Sequence, residues 1–255
     1  MDTANRTAHP GLFIGTSGWS YRHWKGVFYP AEVKPSGYLE HYLTKFSCVE
    51  LNASFYHLPK ESTVEGWVQR TPDNFRFCPK LSRFITHRKQ LVDCGEPLDR
   101  FIGIFEGMKN RLGPLLIQFP PELTYDGSRV IEFLDLLRKY ENRYRFAMEV
   151  RHPSWITDSF FDLMKQHQIA FVIADSGGRF PFQEMVTSDF VYIRLHGPGN
   201  LYASDYDEST LQWYRDKIVE WLRSDLEVWV FFNNDFHGYA VKNALRLNEI
   251  VQSQP

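Results

Sequence analysis

The chain has 255 residues, a formal net charge of −2, 43% hydrophobic and 24% charged residues. This balance suits a globular protein and lacks the clear positive excess of a protein that coats long nucleic acid. No run approaches the ~20 apolar residues of a membrane span, and the polar stretch Met1–His9 has no apolar core of a secretory signal.

Eight short apolar runs are predicted as strands, and each meets a polar residue at or near its C-terminal end. Phe13-Ile14-Gly15 stops at Thr16-Ser17. A helix follows with Leu39, Tyr42, Leu43 and Phe46 at i, i+3, i+4, i+7. Cys48-Val49 leads into Glu50-Leu51-Asn52. Ser62 and Glu65 are spaced as a capping box ahead of Val64, Trp67 and Val68. Phe75 to Pro79 stops at Lys80, and Leu98, Phe101, Ile102 and Phe105 repeat the helical period. Leu115-Leu116-Ile117 stops at Gln118, with a helix over Val130–Leu137. Phe146-Ala147-Met148 stops at Glu149 and Arg151, with a helix marked by Phe160, Phe161 and Met164. Phe171 to Ala174 stops at Asp175. Gly177–Asp189 has no helical face and contains Pro181, so a loop is expected there. Val191-Tyr192-Ile193 leads to Arg194 and His196, and Tyr214, Ile218, Trp221 and Leu222 mark the next helix. Val228 to Phe232 stops at Asn233-Asn234-Asp235, and a last helix runs through Ala240, Val241, Ala244 and Leu245.

Strands alternating with helices predict parallel βα units. Eight units in about 250 residues fit an α/β fold, a single (β/α)8 TIM barrel over residues 11–255, whose sixth unit lacks a full helix. Residues 1–10 are expected to be a disordered or extended lead-in. An open doubly wound sheet fits less well, because no G-x-G-x-x-G follows the first strand. Cys48, Cys78 and Cys94 show no C-x-x-C spacing and read as reduced, buried small side chains in a cytoplasmic protein.

In a barrel, the strand C-termini converge on one mouth, where reactive groups sit. Glu149 and Asp175, with His196, are candidate proton carriers. A static ion network with Arg151 is the structural alternative. An inward Glu50 needs a partner, and Lys80 on the neighbouring strand is expected to supply it. Lys80, Arg83, His87, Arg88 and Lys89 form a basic run. Arg88 and Lys89 read as a solvated loop, whereas Lys80, Arg151 and Arg194 suit a phosphate or carboxylate. Thr16, Glu50, Asn52, Gln118 and Asn233 would orient polar groups. Trp19 and Tyr56 offer aromatic faces, Trp24 and Phe55 read as packing, and Tyr202 and Tyr206 as ligand contacts or a lid. No H-x-H or H-E-x-x-H pattern marks a metal site, and no motif names a cofactor.

Ile14–Tyr21 with Trp24 and Phe28-Tyr29-Pro30, Val49–Tyr56, and Phe77–Lys80 with Ile85-Thr86-His87 stand out as motifs, and Gln118–Pro121, Glu149–Trp155, Tyr192–Gly197 and Phe231–Asn234 complete the set. Together these segments resemble the DUF72, or YecE-like, family of (β/α)8 barrels. The resemblance runs from Ile14 to about Val251 and implies the barrel fold. Pro79 stands where the family usually has Val or Ile. The family carries no agreed activity, and an outline shared with endonuclease IV and xylose isomerase is analogy of fold. The first expectation is therefore an enzyme, a hydrolase, lyase or isomerase, acting on a small anionic, phosphorylated or sugar-like substrate. It would be a monomer or small homo-oligomer. The alternatives are a nucleic-acid-binding or endonuclease IV-like repair protein, and a non-catalytic sensor or scaffold.

Overall fold

All eight expected strands form, and their boundaries follow the apolar runs. The computed structural model describes residues 9–253, so most of the lead-in expected over 1–10 lies outside the described residues. The strands are β1 (Leu12–Thr16), β2 (Cys48–Leu51), β3 (Arg76–Pro79), β4 (Leu115–Gln118), β5 (Phe146–Glu149), β6 (Ala170–Asp175), β7 (Phe190–Leu195) and β8 (Glu227–Phe232). Between them lie α1 (Tyr38–Leu43), α2 (Ala53–Tyr56), α3 (Glu61–Gln69), α4 (Gly95–Phe105), α5 (Gly127–Arg138), α6 (Asp158–Gln166), α7 (Glu208–Arg223) and α8 (Tyr239–Gln252). Among the described residues, no helix is long and apolar enough to cross a membrane.

The pairings with a defined register are parallel, and six strands bond in the order β1-β8-β7-β6-β5-β4, with β2 and β3 as a separate pair. Continuous rather than alternating apolar runs follow from this: parallel strands are covered on both faces, so nearly every strand residue is buried. The register brings strand ends level. Thr16 and Leu195 both pair with Phe232, and Gln118 pairs with Glu149. A parallel bridge from Lys80 to Leu116 links the end of β3 to β4.

By its contacts the chain divides into two compact units. One contains the described residues up to Glu50, Ala174–Phe182 and the described residues from Asp189 onward; the other contains Leu51–Ile173 and Gln183–Ser188. In the first, Phe13 stacks on Trp229 and Tyr29 on Tyr38, with ring centroids 3.9 and 3.8 Å apart. Trp24 is fully buried there, and its indole N–H donates to the Asp235 carbonyl, which fits the packing role expected for it. In the second, Trp155 stacks on Phe119 and donates to the Leu123 carbonyl.

Local chemistry sets the helix starts. Asp126, Thr157 and Asp207 accept from backbone N–H groups of α5, α6 and α7. The capping box expected from Ser62 and Glu65 does not form. Helix α3 begins at Glu61, and its N-cap is Lys60, extended behind Pro59 and without a side-chain cap. Ser62 already lies inside the first turn, where an N-cap's extended backbone is unavailable to it. The stretch after β6 is a loop, as its sequence predicts. Gly177 and Gly178 take positive φ of 61° and 81°, and no helix forms before β7.

Close approach of backbone explains Gly15 on β1. A Cβ there would lie 2.5 Å from the Cys48 carbonyl oxygen on β2, an obstacle that cannot rotate away. Gly15→Ala is expected to lower stability by about 2 kcal/mol or more through backbone displacement, read as the shift in urea midpoint. An unchanged midpoint would show that β1 and β2 can move apart freely.

Candidate functional site

In the first unit the central feature is an ion pair with no exposed surface. Arg194 on β7 presents Nε to Oε2 of Glu50 at 3.0 Å and Nη2 to Oε1 at 2.7 Å, and both residues are fully buried. The Tyr192 hydroxyl donates to the same Oε2 at 2.9 Å. Tyr192 lies two residues before Arg194 on one strand, so both side chains leave the same face. Sequence reasoning missed Tyr192, although that spacing was its available signal. It named Lys80 as the partner of Glu50; the carboxylate is gripped by Arg194 and Tyr192.

The other expected residues of this unit are held by their own structure. The Thr16 hydroxyl contacts Tyr42 and the Gly18 carbonyl. Asp175 accepts from the Gly177 N–H at 3.0 Å and from the Tyr214 hydroxyl at 3.2 Å. His196 is buried, with Nδ1 3.1 Å from the Asn233 amide. Trp19 is half-buried, and its carbonyl accepts from Tyr29. Tyr202 packs edge-on to His196, with centroids 5.6 Å apart. Tyr206, expected to touch ligand or form a lid, is instead buried; its oxygen accepts from Gly197 N–H, and burial raises its pKa.

The second unit gathers the remaining cations. Lys80 follows β3 and is nearly buried, with its ammonium 4.1 Å from the Phe55 ring centroid. Its carbonyl and that of Leu51 both accept from the Ser54 hydroxyl at 2.7 Å, which ties the ends of β2 and β3 together. Asn52 and Tyr56 flank this joint; Asn52 is half-buried, and Tyr56 is 60% exposed. Arg151 donates from Nε to Oε1 of the fully buried Glu149 at 2.7 Å. Gln118, beside Glu149 in register, donates to the Phe119 carbonyl.

His87 belongs with this group, although sequence reasoning left it in a basic loop. It lies in a π-helical turn, Phe84–Arg88, a geometry that recurs at functional sites. Its Nδ1 is 2.8 Å from the Thr86 hydroxyl, and its ring meets Phe55 edge-on at 4.9 Å. Burial, then the charges of Lys80, Arg151 and Arg83, hold its pKa down at about 4, with Glu122 opposing weakly. Three cations on different parts of the chain therefore act on one imidazole. A cleft of about 650 Å³ adjoins the same turn and is lined in part by Phe84, Ile85, Lys89, Glu96 and Arg100. None of the expected site residues lines it. Among the described residues, no group of three or more His, Cys, Asp or Glu is placed to hold a metal ion.

The parallel α/β sheet with charged strand ends agrees with comparison to known proteins. The chain matches the family described as "Protein of unknown function DUF72" over residues 13–255, and it belongs to that family. It is similar to UPF0759 protein YecE of Escherichia coli strain K12, 29% identical over 144 residues. That alignment takes in 56% of this chain and 50% of YecE, so the chain spans about half the length of that relative. UPF0759 protein YunF of Bacillus subtilis strain 168 is 25% identical, with 94% of each chain covered. A crystal structure of a DUF72 family protein from Thermotoga maritima superposes with a TM-score of 0.84 at 31% identity, covering 95% of this chain and 99% of that one. Another, from Enterococcus faecalis, reaches 0.79 at 23% identity, with 96% of each covered, a likeness of fold alone.

The Arg194–Glu50 pair yields a direct test. Arg194→Met leaves a buried carboxylate unpaired and should cost about 3–5 kcal/mol, whereas Arg194→Met with Glu50→Gln should recover part of that loss. Urea unfolding of the two variants measures it. Equal stability of Arg194→Met and the parent would mean that the pair does not brace the fold.

Proposed function

We propose that this protein is an enzyme that binds a small anionic substrate, phosphorylated or sugar-like, and transforms it by acid–base chemistry at its strand C-termini. The observation that carries the reading is the convergence of Lys80, Arg83 and Arg151 on His87, which marks a locally positive region on a chain of net charge −2. Such a region favours an anion, with Lys80 as a point charge and Arg151 as a planar fork. Glu149 is the candidate proton carrier beside the ligand, and Gln118 orients it. In the other unit, His196 with Asn233 is the corresponding candidate, and Asp175 orients the loop that follows it. Arg194, expected at first to bind the anion, serves in this reading as a brace for Glu50, because its guanidinium is wholly buried against that carboxylate.

The reading includes closure of the eight strands into one (β/α)8 barrel forming a single domain from residue 11. The Lys80–Leu116 bridge between β3 and β4 and the tight approach of Gly15 to Cys48 support it. Three free, buried thiols fit a reducing, cytoplasmic setting. The exposed ring of Tyr56 favours one alternative, stacking of a base from single-stranded nucleic acid.

Lys80→Met tests the anion site. Calorimetry with inorganic phosphate at low salt should show binding weakened at least about tenfold, while unfolding free energy falls by no more than about 2 kcal/mol, the worth of the contact with Phe55. Unaltered phosphate affinity, or a variant that unfolds several kcal/mol more easily, would remove Lys80 from the ligand. Turnover of sugar phosphates by the parent protein supports an enzyme. Salt-sensitive oligonucleotide binding without turnover favours the nucleic-acid alternative, and phosphate binding without turnover favours a sensor.

A further inference from the structure

We propose that His87 is itself a ligand-contacting residue of this anion site and takes up a proton as an oxyanion binds, so that the site prefers dianionic groups such as phosphate monoesters to monoanions. The proposal rests on the reading of Lys80 and Arg151 as an anion site and adds the ligand's charge state to it.

The geometry comes first. The His87 ring and the Lys80 ammonium both lie against Phe55, at 4.9 and 4.1 Å from its centroid. The two side chains therefore share one aromatic neighbour, and the Lys80 charge is felt at the imidazole. The fully buried Thr86 fixes the ring, with its hydroxyl 2.8 Å from Nδ1 and 3.5 Å from the Ser82 carbonyl oxygen, an outlet for the hydroxyl's own proton. With Thr86 accepting from Nδ1–H, the lone pair sits on Nε2, and that nitrogen takes the incoming proton. The turn is held in place behind the ring. Gln90, Leu91 and Asp93 all adopt positive φ, and the buried Leu91 donates its N–H to the Ile85 carbonyl.

The charges facing the ring come from every neighbouring segment. Lys80 follows β3, Arg151 follows β5 and is paired with Glu149 at 2.7 Å, Arg83 precedes the turn, and Glu122 follows β4 with an opposing charge. Burial first, and then these three cations, hold the imidazole's pKa down at about 4. An arriving oxyanion reverses the local field and favours imidazolium. The step balances as neutral site, oxyanion and one proton from solvent giving imidazolium and bound oxyanion. A second ligand charge roughly doubles the Coulombic attraction to the imidazolium, hence the preference for dianions. By linkage, affinity rises by up to about tenfold per pH unit on acidification between the ligand-bound pKa and about 4, and is flat above that bound value.

Sulfate is the probe, because it stays dianionic across this range, so any pH dependence belongs to the protein. Calorimetry in two buffers of different ionisation enthalpy counts the protons taken up. At about pH 5 the parent should take up roughly 0.4 proton per sulfate or more, and sulfate should bind at least about fivefold tighter than nitrate of like concentration. The His87 ring, followed by NMR titration, should show its pKa rising by about one unit or more with saturating sulfate. The His87→Gln variant should lose the proton uptake. Sulfate binding with no proton uptake, an unmoved His87 titration, or uptake that persists in His87→Gln would each overturn the proposal while leaving the anion site standing. Absence of sulfate and phosphate binding at every pH would instead sink the anion-site reading, and this inference with it.

Discussion

The buried pair of Glu50 and Arg194 is the constraint on which the first unit depends. Taking both charges out of water costs several kcal/mol per ion, and only close geometry with further hydrogen bonds returns it. The fork of Arg194 meets both carboxylate oxygens, and the Tyr192 hydroxyl completes the set. A slip of β7 by one residue would turn both donors to the opposite face and strand the carboxylate. The pair therefore locks the register of β7, which aligns Arg194 with Phe231 and Leu195 with Phe232 on β8. Through β8 that register reaches Thr16, and it leaves His196 and Asn233 side by side. The ion pair thus contributes specificity of arrangement more than net stability.

The strand-end cations look alike in a linear sequence and differ in three dimensions. Arg194 ends in a carboxylate with no exposed surface on either partner. Arg151 meets the buried Glu149 through Nε while 11% of its side chain remains exposed. Lys80 lies over an aromatic ring, a contact worth about 0.5–2 kcal/mol that leaves the ammonium its charge.

The fold was largely legible because its signals are local. Continuous apolar runs, helical periods and the Gly177-Gly178-Pro181 break each report on a few neighbouring residues. Partner identity was not legible, because it depends on register between distant strands. Glu50 and Arg194 are 144 positions apart, and no spacing in the chain couples them. Tyr206 misled for a related reason: its polar loop suggested exposure, yet Gly197 and Phe232 enclose it. The Ser62–Glu65 spacing was a local signal overruled by the chain direction at Pro59 and Lys60. His87 sat in a run of basic residues without a role of its own, and its character comes from burial and from Phe55, Lys80 and Arg151, all brought in by folding.

Strain in the second unit gathers in the stretch that follows the π-helical turn. Non-glycine residues in the left-handed region cost of order 1 kcal/mol each and persist where surrounding structure enforces them. Gln90, Leu91 and Asp93 gather three within four positions, between the π-helical turn and the start of α4. Buried Leu91, at 3% exposure, and Cys94, fully buried, anchor that stretch from within. On the other side, Ser54 fixes the Lys80 carbonyl and Phe55 supports both the ammonium and the imidazole. A flexible loop of basic residues would relax its charges apart into water. This one holds an imidazole among three cations, so the electrostatic cost of assembling them is met by folding.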